Sequence, residues 1–363
     1  MAISSIGVDL GLTVARAAWL EGDRPVLLET LLGHRSLPAV VGIDKTGALH
    51  VGESARNQML LWPERAQTRL RRLLGTSQRV LLEDKSFSAY ELCAVILSQL
   101  KELTEQRLGN PVSGLVLAVP CSFTSAQRQQ AADAAALASF RTVRTVLEPV
   151  AVATAYGLKA ADVPDGRAVL VFDLGGRGGE VTLLGRSAAG PGEAGEASWQ
   201  VLATATTPVG GELFDDRIAE HLCTLFERDH GISPRGSRRT QARLKLAAEW
   251  AKCTLSREEA TTVRLPGLLT IDQTPLDLTA DLTREQIELL CEDDVRRALE
   301  AAELALRDAR LSPSQLHAVL LSGGGAQLPL VGRLLGEVLV QRPLAGVAPE
   351  QAIALGAAML LPR

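Results

Sequence analysis

The feature that most limits what this chain can fold into occurs twice. "GVDLGLT" (residues 7–13) and "VFDLGGRGGE" (171–180) each place Asp-Leu-Gly after a short apolar run. In the first copy residues 6–9 lead into Gly11 and residues 14–20 return as a second apolar run. In the second copy residues 168–172 lead into Asp173 and Gly175, and "EVTLLG" returns. Apolar run, glycine turn, apolar run is the pattern of a β-hairpin, so hairpins are predicted over 4–21 and 167–185. The copies lie about 160 residues apart, which points to two related lobes, each presenting an acidic turn to a shared cleft. Glycines in such turns let backbone N–H groups approach a polyphosphate, and an aspartate beside them suits a hydrated Mg²⁺. The second turn has an oddity: Arg177 stands inside it and no hydroxyl is near.

A chain of 363 residues suits two domains or two lobes better than one simple core. Aromatic residues are only 3%, so Leu, Val and Ala must fill the cores. The net charge of −4 argues against a nucleic-acid binder, which needs a basic face. The five cysteines, Cys93, Cys121, Cys223, Cys253 and Cys291, form no CxxC pair and the five histidines are scattered, so no zinc site is expected. An odd number of unclustered thiols suits a reducing cytoplasm. The N-terminus lacks the basic region of a signal peptide, and no stretch reaches the ~20 apolar residues that span a bilayer.

Between and after the hairpins, strand-like and helical runs alternate, which argues for α/β lobes. Strands are expected at 39–43, 49–51 and 114–120, the last ending at Pro120. Helices are expected over "ERAQTRLRRLLG" ending at Gly75, over "SAYELCAVILSQLKELTEQRLG" closed by Gly109, and over "SAQRQQAADAAALAS" with Thr124 or Ser125 as N-cap. "RTVRTVLEPVAVATAYGL" reads as a strand, a Glu-Pro junction and a helix. "HAVLLSGGGAQLPLVGRLLGEVL" reads as strand, triple-glycine turn and helix, and "APEQAIALGAAMLLP" as a last helix. The Gly/Ala/Glu run at 187–198 reads as a flexible insertion.

Six ordered segments carry a resemblance: "LPAVVGIDKTGALHVGESARNQ", "AVPCSFTSAQRQQAADAAALA", "LEPVAVATAYGL", "VGGELFDDRI", "ARLKLAAEWAKCTLS" and "PEQAIALGAAML". Together they resemble the nucleotide-binding domain of DnaK-type heat-shock chaperones, within the actin, hexokinase and chaperone ATPase superfamily. The resemblance runs from Gly7 to about Ala358. It implies an α/β, two-lobed actin-like ATPase fold, each lobe a ribonuclease-H-like sheet flanked by helices, with a nucleotide cleft between them. Lobe I is expected at 1–165 with the helix of 348–361 packing back on it, lobe II at 166–347, and no peptide-binding domain thereafter.

The resemblance also assigns residues. Asp9 and Asp173 correspond to the acids around Mg²⁺ and its waters, and Glu148 to a carboxylate that orders the attacking water. Gly11, Leu12 and Thr13 form the first phosphate loop and Gly175, Gly176 and Arg177 the second. Gly210 and Gly211 approach the phosphates. Glu249, Lys252 and Ser256, on one helix face, match residues that line the adenosine. Gly323 and Gly324 form the turn against the nucleoside, with Gln327 beside it and Glu350 near the base. The implied cofactors are ATP or ADP with Mg²⁺, and the implied chemistry is phosphoryl transfer to water, which needs charge neutralisation and positioning more than covalent chemistry.

Departures from the family pattern are as informative. Arg71, in "RRLLG", stands where the family has a catalytic lysine in "KRLIG"; charge is kept and geometry changes. Leu12 replaces the first loop threonine, and the next polar positions are Val14 and Ala15. In the second loop Arg177 replaces a glycine, Gly178 a threonine, Gly179 an aromatic and Glu180 the closing aspartate. Gln327 replaces an arginine that stacks on the base, and Cys253 another basic residue. Blander readings run alongside: Asp9 and Asp173 as plain turn formers, Glu148 as a helix start, Arg71 on a solvated helix face. Arg177 either caps phosphate or, the preferred reading, points outward.

The expected function is a cytoplasmic DnaK-like protein that binds ATP with Mg²⁺ between its lobes and hydrolyses it weakly, coupled to lobe closure, in protein quality control. A co-chaperone or another protein would supply client binding; neither nucleic acid nor membrane is an expected partner. The alternative is a pseudo-ATPase scaffold, gated by nucleotide, that recruits a partner. A third reading is a small-molecule kinase of the same superfamily.

Overall fold

The computed structural model describes residues 5–187 and 197–362. The 187–198 run read as a flexible insertion lies, from 188 to 196, outside the described residues.

Both hairpins form, and each nucleates a sheet. Strand Ser5–Leu10 pairs antiparallel with Val14–Glu21, which pairs with Arg24–Leu27. On its other side Ser5–Leu10 runs parallel to Gly114–Val119, which runs parallel to Thr142–Leu147. The second sheet repeats the plan. Ala168–Leu174 pairs antiparallel with Gly179–Ser187, which pairs with Ser198–Thr207, and Ala168–Leu174 also runs parallel to Leu316–Ser322. In each case a three-stranded meander meets a parallel strand on the far side of the strand that leads to Asp-Leu-Gly. Almost every residue of the two leading strands is buried, as expected for strands covered on both faces.

Nine helices surround the sheets among the described residues: α1 Glu53–Leu61, α2 Ala89–Leu108, α3 Ser125–Leu137, α4 Glu148–Ala155, α5 Gly211–His230, α6 Arg238–Leu255, α7 Arg284–Ala309, α8 Pro329–Leu339 and α9 Ala352–Met359. Their ends follow local chemistry. Ser88 and Thr124 form capping boxes with Glu91 and Gln127 at the starts of α2 and α3, and Gly109 closes α2 in the left-handed conformation.

One expected helix does not form. Residues 64–75 become a 3-10 turn at Pro63–Arg65, a short strand at Ala66–Gln67 and a second 3-10 turn at Leu70–Leu73. Ala66–Gln67 pairs with Val41–Ile43, and Arg69 takes a left-handed φ of 61°, which ends any helix there. Sheet pairing has overridden helix propensity. The result puts Arg71 on a tight turn rather than on a solvated helix face.

Three apolar clusters make up most of the core. One fills the first sheet and α2–α3, and one the second sheet with α5–α8. The third lies between them, where α4 and α9 pack Ala151, Val152, Ile353 and Ala357 against Val116, Ala118, Val169 and Val171. Helices α4 and α9 are rich in Ala and α9 carries Gly356, so their backbones approach closely: a Cβ on Gly356 would stand 1.7 Å from the Ala151 carbonyl oxygen. The helix of 352–359 thus packs on α4 and on strands Ser5–Leu10 and Val14–Glu21. This fixed base leaves the turns of both hairpins facing each other.

Candidate functional site

The hairpin turns, the 3-10 turn carrying Arg71, the start of α4 and one face of α6 enclose a cavity of about 870 Å³. Most of the residues singled out in the sequence line it. The exceptions are Gly210, Ser256 and Glu350. Gly210 packs behind the second loop, where a Cβ would stand 2.4 Å from the Gly178 amide nitrogen. The Ser256 hydroxyl caps α6 by donating to the Lys252 carbonyl at 2.9 Å. Glu350 lines an adjoining groove, which shares Gln327 with the main cavity.

The two phosphate-type loops approach until they touch. A Cβ on Gly176 would meet the Thr13 methyl at 2.5 Å, so only glycine fits there. Gly178 has φ of 148°, and a Cβ there would stand 2.9 Å from the Thr207 carbonyl. The backbone that carries Gly178 therefore excludes the threonine expected from the family pattern.

Four carboxylates gather on the cavity floor: Asp9, Glu148, Asp173 and Glu180, all buried or nearly so. Glu148 stands at the first turn of α4, held there by Pro149 behind it. Arg71 reaches it with Nη1 2.5 Å from Oε1, and the same guanidinium lies 5.9 Å from the centre of the Phe123 ring. Arg71 is only 16% exposed, so its charge is spent inside the cavity. Arg16 stands opposite Asp9 on the neighbouring strand, with its nitrogen 4.0 Å from the carboxylate. Glu180 accepts from the Cys121 and Ser122 amides at 3.0 and 3.1 Å.

Burial governs how these acids titrate. It lifts Glu148 to about 8, with Arg71 opposing and Asp173, Asp9 and Glu180 adding to the rise. It lifts Asp173 to about 7, helped by the charge of Asp9 and opposed by Arg71. Asp9 is also raised by burial, against the pull of Arg16 and Arg71. Asp173 Oδ1 and the Ser322 hydroxyl are both buried, and the Ser322 hydroxyl, as a hydrogen-bond donor, pulls the Asp173 carboxyl back down.

Arg177 does not point outward. Its side chain is 17% exposed, and Nε lies 2.5 Å from Glu212 Oε1 at the start of α5. Lys252 is also committed: Nζ donates to the Gly211 carbonyl at 2.9 Å and pairs with Asp215 at 2.6 Å. Glu249 pairs across the cavity mouth with Arg56 of α1. Cys253 is exposed on α6 and lines the same cavity. Arg16, Arg56, Glu212 and Asp215 were not singled out from the sequence. Glu212 and Asp215 lie within the matched segment "VGGELFDDRI", and Arg16 faces Asp9 by strand pairing, so both signals were present. Arg56 likewise lies within the matched segment "LPAVVGIDKTGALHVGESARNQ".

A family model described as Hsp70 protein matches residues 5–81 and 76–361. The chaperone protein DnaK of Thermosipho africanus (strain TCF52B) is 36% identical over 356 residues, which is 98% of this chain and 58% of that protein. The chain therefore spans little more than half the length of that relative. The two-lobed α/β fold, with its paired hairpins facing one cavity, agrees with the match, and the chain belongs to the Hsp70 family.

Proposed function

We propose that this protein binds ATP or ADP with Mg²⁺ in the cavity between its lobes, and that hydrolysis is slow. The proposed lobes are 1–165 with 348–361, and 166–347. The observation that carries the reading is the floor of the cavity, where Asp9 and Asp173 end matched hairpins and line one space with the Arg71–Glu148 pair. Among the described residues no three His, Cys, Asp or Glu side chains converge as a metal cage. An ion held by Asp9 and Asp173 through water fits this donor set, since Mg²⁺ keeps several waters and takes few carboxylates. The ion, when bound, neutralises phosphate charge. Gly11, Thr13 and Gly176 would offer backbone N–H groups to phosphate oxygens, while the Gly175 N–H is held by the Gly178 carbonyl at 2.9 Å. Gly211 would approach the phosphates, and Gly323, Gly324 and Gln327 would border the nucleoside, with Glu249 and Lys252 on the α6 face. Glu350 would reach it from the adjoining groove, while Ser256 holds the end of α6.

Arg71 and Glu148 have the roles of charge stabiliser and water-orienting base. Their ion pair keeps the guanidinium in the cavity and holds the carboxylate against its tendency to stay protonated. A carboxyl poised near neutral pH is suited to general-base work, but one tied to Arg71 must share that pair with the attacking water. This pair, with Leu12 in place of a hydroxyl and a Gly178 backbone that admits none, favours slow turnover. It also supports the second reading, a nucleotide-gated scaffold without turnover. The place in protein quality control, the cytoplasmic site and a separate client-binding partner are proposed from family membership.

Calorimetry with ATP and Mg²⁺ tests binding: no heat at high protein concentration sinks both readings. Single-turnover hydrolysis, with Asp173→Ala as control, separates them. A rate above the control supports the ATPase; binding without it supports the scaffold. A sugar-dependent rate would point to the kinase.

A further inference from the structure

We propose that Glu180 is a clasp that ties the second lobe to the first beneath the phosphate end of the cleft and limits how far the lobes open. The proposal rests on reading the cavity as a nucleotide cleft, and its test does not require nucleotide.

Glu180 belongs to the returning strand of the second hairpin, Gly179–Ser187, directly across from Asp173. Its side chain leaves its own lobe. Oε1 accepts from the Cys121 amide and Oε2 from the Ser122 amide, at 3.0 and 3.1 Å, and the residue is 9% exposed. Cys121 and Ser122 lie in the turn that leaves strand Gly114–Val119 of the first sheet. Two backbone N–H groups on one buried carboxylate make two charge-assisted bonds, stronger than neutral ones.

The same turn is gripped from its other side. Arg128 of α3 donates to the Phe123 carbonyl through Nε and to the Cys121 carbonyl through Nη2, each at 3.2 Å. A carboxylate from one lobe takes the turn's N–H groups while a guanidinium from the other takes its carbonyls. The turn then presents Phe123 beneath the Arg71 guanidinium, which pairs with Glu148. A continuous set of contacts therefore runs from the second hairpin through the 120–123 turn to the pair expected to act on phosphate and water. Glu180 is a positioning residue in this arrangement: both of its oxygens are engaged by the turn.

Side-chain length is part of the argument. Aspartate at this position, the residue of the family pattern, is one carbon–carbon bond shorter, about 1.5 Å. From the same backbone it would not reach both amides, so the extra methylene is what closes the clasp.

The test is amide hydrogen exchange at single-residue resolution on the full, nucleotide-free chain, comparing wild type with Glu180→Ala, Glu180→Asp and Glu180→Gln. In the Ala and Asp variants the Cys121 and Ser122 amides should exchange at least about 10-fold faster, while amides of strand Gly114–Val119 keep their protection. The radius of gyration by X-ray scattering should rise in both. Glu180→Gln keeps the shape but can accept through one oxygen only, so one of the two amides should stay protected; it serves if the Ala variant does not fold. Unchanged exchange at 121 and 122 overturns the clasp. Faster exchange with an unchanged radius overturns its control of opening. Failure of nucleotide binding would leave both arms readable and would count against the proposed function instead.

Discussion

Asp9 and Asp173 occupy the same place in two hairpins of the same topology. Opposite Asp9 the neighbouring strand carries Arg16; opposite Asp173 it carries Glu180. The first hairpin therefore brings its own compensating cation. The second places two carboxylates side by side and depends on charge from outside itself, from Arg71 of the other lobe or from a bound ion. The titration of the two aspartates follows. Both are raised by burial, but Asp9 is relieved first by the Arg16 of its own hairpin, whereas the charge of Asp9 adds to the rise at Asp173. Two turns with the same Asp-Leu-Gly thus differ in kind: one carries an offsetting cation in its own hairpin, the other takes it from elsewhere in the chain.

Removing each cation should break the comparison most sharply. Arg71→Ala leaves Glu148 buried without its partner, and losses of about 3–5 kcal/mol are typical for a broken buried pair. Arg16→Ala, which removes a looser contact of 4.0 Å, should cost much less. Urea unfolding of both variants decides it; equal losses would mean that the Arg71–Glu148 pair holds the fold no more than the looser Arg16–Asp9 contact does. Removing each acid should then act on ligand rather than on stability. Asp173→Ala should weaken Mg²⁺-dependent nucleotide binding by about 100-fold, roughly 3 kcal/mol. Asp9→Ala, whose carboxylate already faces Arg16, should weaken it less. Calorimetry with and without Mg²⁺ reads both, and a larger loss for Asp9→Ala would reverse the assignment.

The pH dependence sharpens the same contrast. Glu148 titrates at about 8 and Asp173 at about 7, against ordinary values of 4.5 and 3.8. Between those limits the folded protein holds protons that the unfolded chain has released, so stability is greatest at the acid end and falls as pH rises. Each retained proton contributes a slope of about 1.4 kcal/mol per pH unit. Nucleotide-free protein should therefore lose stability from pH 5 to 8, and Asp173→Asn should flatten that fall. A rise in stability over this range would show that both acids are ionised in the folded state. The smallest expected effect concerns hydroxyls. Leu12→Thr should raise single-turnover hydrolysis by up to about 10-fold, less than the roughly 100-fold or more typical of a positioned general acid or base. Gly178→Thr should not, because its φ of 148° and the Thr207 carbonyl leave no place for a side chain. Equal gains from the two would show that the second loop rebuilds easily.

Much of the fold was legible in the chain. The hairpins, the buried strand at 114–119, the capped helices α2 and α3 and the glycine that closes α2 all appear where alternation and capping chemistry place them. The helix expected over 64–75 does not, because strand Ala66–Gln67 pairs with a segment distant in sequence and Arg69 turns left-handed. In the candidate site the turn residues were legible and their partners were not. Arg177 faces inward, against the outward reading, because Glu212 supplies a partner from the start of the next helix.

The sequence alone determined what depends on near neighbours: two Asp-Leu-Gly turns, glycines where backbones must pass closely, the alternation of strands and helices, and membership in the Hsp70 family. Only the tertiary structure decided which cation meets which acid. Arg71 and Glu148 are 77 residues apart, and Cys121 and Glu180 are 59 apart. Such pairs are fixed by how the lobes pack on α4 and α9, since charge acts over a few ångströms of space with no regard to distance along the chain.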